Sequence, residues 1–323
     1  MSPPPGCISA AAAGIEMKRV RTIITSLAVI IMAASLIAVI ALPTDHPSFR
    51  VLPLDCTLCR SALEPSGIAF IKGTPVIVSD NGDPTLYRLD IKERGASVLP
   101  FAGINLPPGL LRLKRHPLDL EGIAAHGSFL YAVDERDRLV YRVDERGNAD
   151  LVWHDIKRYN REKRIRFSRE ANAAFEGIAA DPGRRRFYIA NERDDAIIYT
   201  LESSADGLRL HTTGHLSMSG LTGDGRFDIS DLFFDNGRLY VLYRRAGRIV
   251  KIDPDSNLIV GNLDTDFAVS GHYHSPKGFG FAEGLYMTRR EIFLLLDGGG
   301  KAMTSGRGGK NGALVVLDRP AGF

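Results

Sequence analysis

One short motif returns along this chain at nearly constant spacing, and that recurrence restricts the fold more than any other feature. Ser66-Gly67-Ile68-Ala69 is followed by Glu121-Gly122-Ile123-Ala124 and Glu176-Gly177-Ile178-Ala179. A degenerate copy, Asp231-Leu232 preceded by Phe227-Asp228-Ile229-Ser230, comes next, and then Glu283-Gly284-Leu285. From Ser66 the copies lie 55, 55, 55 and 52 residues apart. A period of this length marks units that cannot bury an apolar face alone and stack to share a core.

Two further apolar runs follow each copy. Val76-Ile77-Val78-Ser79-Asp80 and Leu86-Tyr87-Arg88-Leu89-Asp90 are the first pair, and Ile292 to Asp297 with Leu314 to Asp318 the last. The runs are short, rich in β-branched and aromatic residues, and separated by turn residues such as Asp181-Pro182-Gly183 and Asp235-Asn236-Gly237. They predict antiparallel strands joined by tight hairpins. A fourth strand is expected around Val98-Leu99, Leu151-Val152-Trp153, Leu208-Arg209-Leu210 and Leu258-Ile259-Val260. The last copy has none before the chain stops, and Phe49-Arg50-Val51-Leu52 can supply it. The expectation is an all-β β-propeller of five blades, closed by an N-terminal strand so that no sheet edge is left open. Six blades is the alternative, with the extra one in the stretch from Ala102 to Leu118, which is rich in Pro, Gly and basic residues.

Residues 22–42 carry no charge and are long enough to cross a bilayer core of about 30 Å as a helix. Lys18, Arg19 and Arg21 precede them and no basic residue follows before Arg50, which places the N-terminus in the cytoplasm. The expected organisation is a cytoplasmic segment 1–21, a transmembrane anchor 22–42 and a propeller domain 43–323 outside. This describes a single-pass protein of the inner membrane facing the periplasm or exterior. Val39 and Ala41 also fit a signal-peptide cleavage site, after which the domain would be secreted. Met17 is an alternative start that would remove Cys7. Cys56 and Cys59, just beyond the span, read as a tight disulfide in an oxidising compartment, with redox and zinc roles as the competing readings. A net charge of +3 with no basic stripe excludes nucleic acid as a partner.

In a propeller the first strand of each blade lines the axis, so equivalent positions converge there. Glu121, Glu176, Asp231 and Glu283 are then expected around one channel. The ends of the second strands add Asp80, Asn81, Asp134, Glu135, Asn191, Glu192 and Asp297. Carboxylates this close repel unless a cation intervenes, and hard oxygen ligands suit Ca²⁺, or Mg²⁺ as the alternative. The expected metal set is Glu121, Glu176, Asp231, Glu283, Asp134 and Asp297. The competing reading is that these residues cap turns and tie blades together. The arginines and lysine between Arg161 and Arg166, with Arg184 to Arg186, read as a solvated loop or as a docking site for an anionic or phosphorylated ligand. His272 and His274 have the spacing of ligands on one strand face, and Gly298-Gly299-Gly300-Lys301 reads as a hairpin loop. No Gly-x-Ser-x-Gly nucleophile elbow is present.

Glu121-Gly122-Ile123-Ala124 with Val133-Asp134-Glu135-Arg136-Asp137, and Phe175-Glu176-Gly177-Ile178-Ala179 with Ala190-Asn191-Glu192, resemble the SdiA-regulated propeller family and the related esterase-like phytase group. Asp228 to Leu232 and Ala282-Glu283-Gly284-Leu285 continue the order of motifs, and the resemblance runs from about Leu63 to Asp318. It implies a periplasmic or membrane-anchored propeller, a divalent ion in the channel, and hydrolysis of phosphate or other esters. Tyr243-Arg244-Arg245 departs from the pattern, standing where an acidic pair is usual. On the hydrolase reading Glu121, Glu176 and Glu283 hold the metal, Glu135 or Glu192 acts as base, and Arg244 or Arg245 steadies the anionic group. The alternative is a non-enzymatic module of the envelope that binds a ligand or a protein.

Overall fold

The computed structural model describes residues 46–59, 62–112, 114, 116–154, 156–163, 174–191, 197–206, 209–218, 228–274, 282–306 and 309–323. The anchor expected at 22–42, the alternative start and Glu192 lie outside the described residues. Among the described residues no helix is long and apolar enough to cross a membrane.

The chain is all-β, with twenty strands and three short helices among the described residues. After β1 (Phe49–Asp55), a first sheet runs β2 (Pro65–Ile71), β3 (Thr74–Ser79), β4 (Thr85–Ile91) and β5 (Ala96–Gly103). The second holds β6 (Leu120–His126), β7 (Phe129–Asp134), β8 (Leu139–Val143) and β9 (Ala149–Trp153), and the third β10 (Phe175–Asp181), β11 (Arg186–Asn191), β12 (Ile197–Ser203) and β13 (Leu210–Ser217). The fourth is β14 (Ile229–Asp235), β15 (Arg238–Tyr243), β16 (Arg248–Asp253) and β17 (Leu258–Asp264). The last contains β18 (Ala282–Met287), β19 (Glu291–Leu296) and β20 (Ala313–Asp318).

Within each sheet the strands pair antiparallel in chain order, because tight turns join them. Asn236 and Gly237, both at positive φ (48° and 76°), make such a turn, in the left-handed region that Asn and Gly tolerate best. β1 pairs antiparallel with β20, from Phe49 opposite Leu317 to Pro53 opposite Ala313. Its last two residues, Leu54 and Asp55, run parallel to Ala96 and Ser97 of β5, so β1 both completes the last sheet and joins it to the first.

Strand alternation buries both faces of each sheet. In β19, Ile292, Leu294 and Leu296 join a core shared with the fourth sheet, while Phe293 and Leu295 join one shared with the first. Three further cores lie between the first and second, second and third, and third and fourth sheets. Each fully buried Leu, Ile or Val contributes about 1.5–3 kcal/mol, so stability rests on sheet-to-sheet packing. The inner strands β2, β6, β10, β14 and β18 lie side by side, and β18 returns to β2. Sheets stacked in a ring about an axis are the architecture of a β-propeller.

The structure differs from the sequence expectation in several places. The stretch from Ala102 to Leu118 contains the end of β5 and a helical turn, α1 (Pro108–Leu111), and no further sheet among its described residues. β13 begins at Leu210, later than expected. The basic run after His154 starts as a helix, α2 (Ile156–Lys163). His272 sits not on a strand but in the turn after α3 (Asp266–Val269), where Nε2 lies 2.9 Å from the Ala268 carbonyl oxygen.

Candidate functional site: an acidic mouth on the axis

The inner hairpins share one register. Pro65 faces Ser79, Leu120 faces Asp134, Phe175 faces Asn191, Ile229 faces Tyr243 and Ala282 faces Leu296. In each, the register then shifts by a bulge. A bulge bends the strand and re-aims the extra side chain. The bulged residues are Ser66, Glu121, Glu176, Ser230 and Glu283. The fourth repeat is therefore one residue out of step with the sequence alignment, and Ser230 rather than Asp231 occupies the acidic position. Ser230 Oγ donates to the Ala282 carbonyl at 2.8 Å.

Asp231 takes the place that glycine holds elsewhere in the ring. Those glycines are where neighbouring inner strands touch. A Cβ on Gly122 would lie 2.4 Å from the Glu176 carbonyl oxygen, and one on Gly284 would lie 2.3 Å from that of Ser66. The buried Asp231 carboxyl accepts from the N–H of Leu232 at 2.8 Å and of Leu285 at 2.7 Å, and also from Ile178. Burial pushes its pKa well up, and these donors pull it back. Asp231, expected as a metal ligand, ties three inner strands together through these bonds.

Among the described residues, the residue after the second strand forms another ring position: Asp80, Glu135, Arg244 and Asp297. The backbone N–H groups of Asp80, Glu135 and Arg244 donate to the carbonyls of Glu64, Asp119 and Asp228, each one residue before an inner strand. These three define a further acidic position outside the repeated motif. Its signal was present in the sequence, since each lies two residues before the bulge position. Asp134, the last residue of β7, has partners different from those of Glu135. It is fully buried and paired with Lys114, which also reaches Asp137 at 3.3 Å. It is absent from the carboxylate group that the mouth brings together.

That group is Asp119, Glu121 and Glu135, with one oxygen from each within 4.8 Å of the others. Asp119 also meets Arg136 at 2.5 Å, and Glu135 Oε1 accepts the Ala174 N–H at 3.0 Å. Burial raises the Glu121 pKa well above the usual carboxylate range, and the charges of Asp80, Glu135, Glu283 and Asp119 add to it. Burial likewise raises Asp119 against Arg136, and Glu135 against the Ala174 donor. Asp80 is pushed up to about 8 by burial and by Asp297 and Glu64. Asp297 is pushed up to about 7 by burial, against its bond from the Gly299 N–H at 2.9 Å. Three hard carboxylates at this spacing fit a cation whose oxygen ligands lie at about 2.3–2.6 Å.

On the other side of the mouth, Arg244 replaces an acid in the ring. It pairs with both oxygens of Glu283 and, at 2.7 Å, with Asp228. Burial pulls the guanidinium pKa down, but Glu283, Glu176 and Asp228 outweigh it and hold Arg244 above the usual arginine value. Glu176 is buried, and its charge acts on Arg244. Further from the axis, Cys56 and Cys59 form a disulfide with Cα atoms 5.4 Å apart. Arg184 and Arg186 are taken up by Asp181, Asp255 and Glu202.

Sheets in a ring with one acidic mouth define the class, a β-propeller protein. Residues 63–259 match the family described as phytase-like, esterase-like activity of phytase, and the chain belongs to that family. Among solved structures, Myxococcus xanthus glutaminyl cyclase is similar with a TM-score of 0.51 at 15% identity, covering 85% of this chain and 97% of that one. The likeness is one of fold. The PQQ-bound aldose sugar dehydrogenase of Streptomyces coelicolor gives a TM-score of 0.44 at 13% identity, over 84% of this chain and 100% of that one. No curated protein sequence matches the chain.

Proposed function

We propose that the chain is a five-bladed propeller, held to the inner membrane by residues 22–42 and facing the periplasm, whose acidic mouth binds a divalent cation and hydrolyses phosphate or other esters. Calcium is the first choice of ion and magnesium the second. The approach of Asp119, Glu121 and Glu135 to within 4.8 Å carries this reading. It supports a ligand set in which Asp119 and Glu135 join Glu121, with Glu283 and Asp297 nearby, and in which Asp231 and Asp134 have structural roles. The five blades rest on the five equivalent hairpins and on β1 as the closing strand.

A bound divalent cation would polarise an ester oxygen and lower the pKa of a water. The chain's own contribution is proton handling. Without the cation, Asp297 and Asp80, at about 7 and about 8, change protonation near neutral pH, the range that suits a general acid–base group. They take over the role expected of Glu135, whose carboxylate belongs to the ligand group. A small anionic substrate would meet Arg244 only by competing with Glu283 and Asp228.

That competition favours a second reading, a non-enzymatic binding module, because the cation best placed to steady an anion is already engaged. Nitrophenyl phosphate and nitrophenyl acetate, assayed with calcium and with a chelator, separate the two. Turnover lost on chelation and in a folded Glu121→Gln variant supports the hydrolase. Calcium-dependent stabilisation without turnover on either ester supports the binding module.

A further inference from the structure

At the opposite end of the axis, beside the inner-hairpin turns, lies a cavity of about 410 Å³ to which every inner strand contributes. It has the size of a small-molecule site. The repeat does not line it evenly. The register makes Ala69, Ala124, Ala179, Phe233 and Tyr286 equivalent, and likewise Phe70, Ala125, Ala180, Phe234 and Met287. At these two positions the second and third sheets offer only alanines, while the first offers Phe70, the fourth Phe233 and Phe234, and the last Tyr286 and Met287. Tyr286 stacks on Phe70 at 4.2 Å and meets Phe233 edge-on at 4.9 Å, and all three rings are only partly buried. An aromatic wall faces an alanine floor across a gap.

Arg289 also lines the cavity and is exposed, with no ion-pair partner among the described residues. The acid beside it, Asp235, is already bonded to Arg319 at 3.0 Å. Other arginines on the turns of this face, such as Arg184 and Arg238, have carboxylate partners.

We propose that this second mouth binds a small flat aromatic anion, its ring between the Phe70–Phe233–Tyr286 wall and the alanines, and its charged group on Arg289. The site is separate from the acidic mouth and needs neither the cation nor ester hydrolysis.

The test titrates the full-length chain with 2-naphthoate and with neutral 2-naphthalenemethanol, by calorimetry and by ligand-observed NMR. The expected result is saturable one-to-one binding of naphthoate. Arg289→Gln weakens it about tenfold, as loss of a charge-assisted contact would, and leaves the alcohol unchanged. Ala180→Phe fills the gap and removes both, while Glu121→Gln alters neither. Absence of saturable naphthoate binding at millimolar concentration overturns the proposal, as does full affinity in Ala180→Phe. Equal loss of acid and alcohol in Arg289→Gln overturns the anion assignment. Should Ala180→Phe fail to fold, the exposed Arg289 variant still decides.

Discussion

The Asp231 carboxylate accepts the backbone N–H of Leu285 at 2.7 Å, across the seam between the fourth and last sheets. Its other oxygen holds the N–H of Leu232. Asp231→Asn turns one acceptor into an NH₂ facing a buried N–H. The expected loss is roughly 1–3 kcal/mol in urea unfolding, the cost of an unsatisfied buried group. The shift in melting temperature that calcium would cause at the proposed site is expected to persist. A variant that keeps full stability but loses the calcium response would show that Asp231 is a ligand after all.

Arg244 is the counter-charge of the mouth. Arg244→Met leaves Glu283 and Asp228 buried without it, at an expected cost of about 3–5 kcal/mol. Adding Glu283→Gln to Arg244→Met removes one stranded charge and should recover part of the loss. A double variant no more stable than Arg244→Met alone would mean that the pair is not coupled. Thermal and urea unfolding of the three variants measure the coupling.

Stability should depend on pH with an unusual sign. Asp80 and Asp297 have pKa values of about 8 and about 7 in the folded chain, well above the ordinary aspartate value of 3.8. Between about pH 4 and 8 the folded state binds more protons than the unfolded state, so their contribution is full below pH 4 and falls as pH rises. In a chelator, the melting temperature should decline across this window. Calcium competes with those protons, so the stabilisation it brings should grow from pH 5 to pH 8. A calcium effect independent of pH would sink the proposed site.

β1 closes the ring. Deletion of residues 1–55 uncovers the β20 edge and removes the buried Leu52 and Leu54, each worth about 1.5–3 kcal/mol. The expected product is aggregated, as light scattering of the purified chain would report, because an open apolar edge invites pairing with another copy. A soluble, cooperatively melting monomer would show that the last sheet stands with three strands.

Much of the fold could be read from residue order. The 55-residue period and the β-branched runs mark the hairpins, and the unassigned run at Phe49 marks the closing strand. These are local signals: alternation and turn residues act over a few positions. The carboxylate group was less accessible. Glu121 and Glu135 stood out, but Asp119 did not, since it precedes the motif and meets Glu135 only through the hairpin. Asp134 and Glu135 are adjacent in sequence yet have different partners, Lys114 for one and Asp119 with Glu121 for the other, and only the folded hairpin separates them.

By itself, the sequence determined that the chain repeats, that the repeats are strands, and that acids recur at their edges. Tertiary structure decided which acids share a volume. Ser230 displaces Asp231 from the motif because a bulge counts residues differently from an alignment. Arg244 occupies an acid's place, and its charge matters only when Glu283 and Asp228 are brought beside it. Backbone pattern is a property of neighbours along the chain, whereas electrostatics falls off with distance through space, and that distance exists only once the ring has closed.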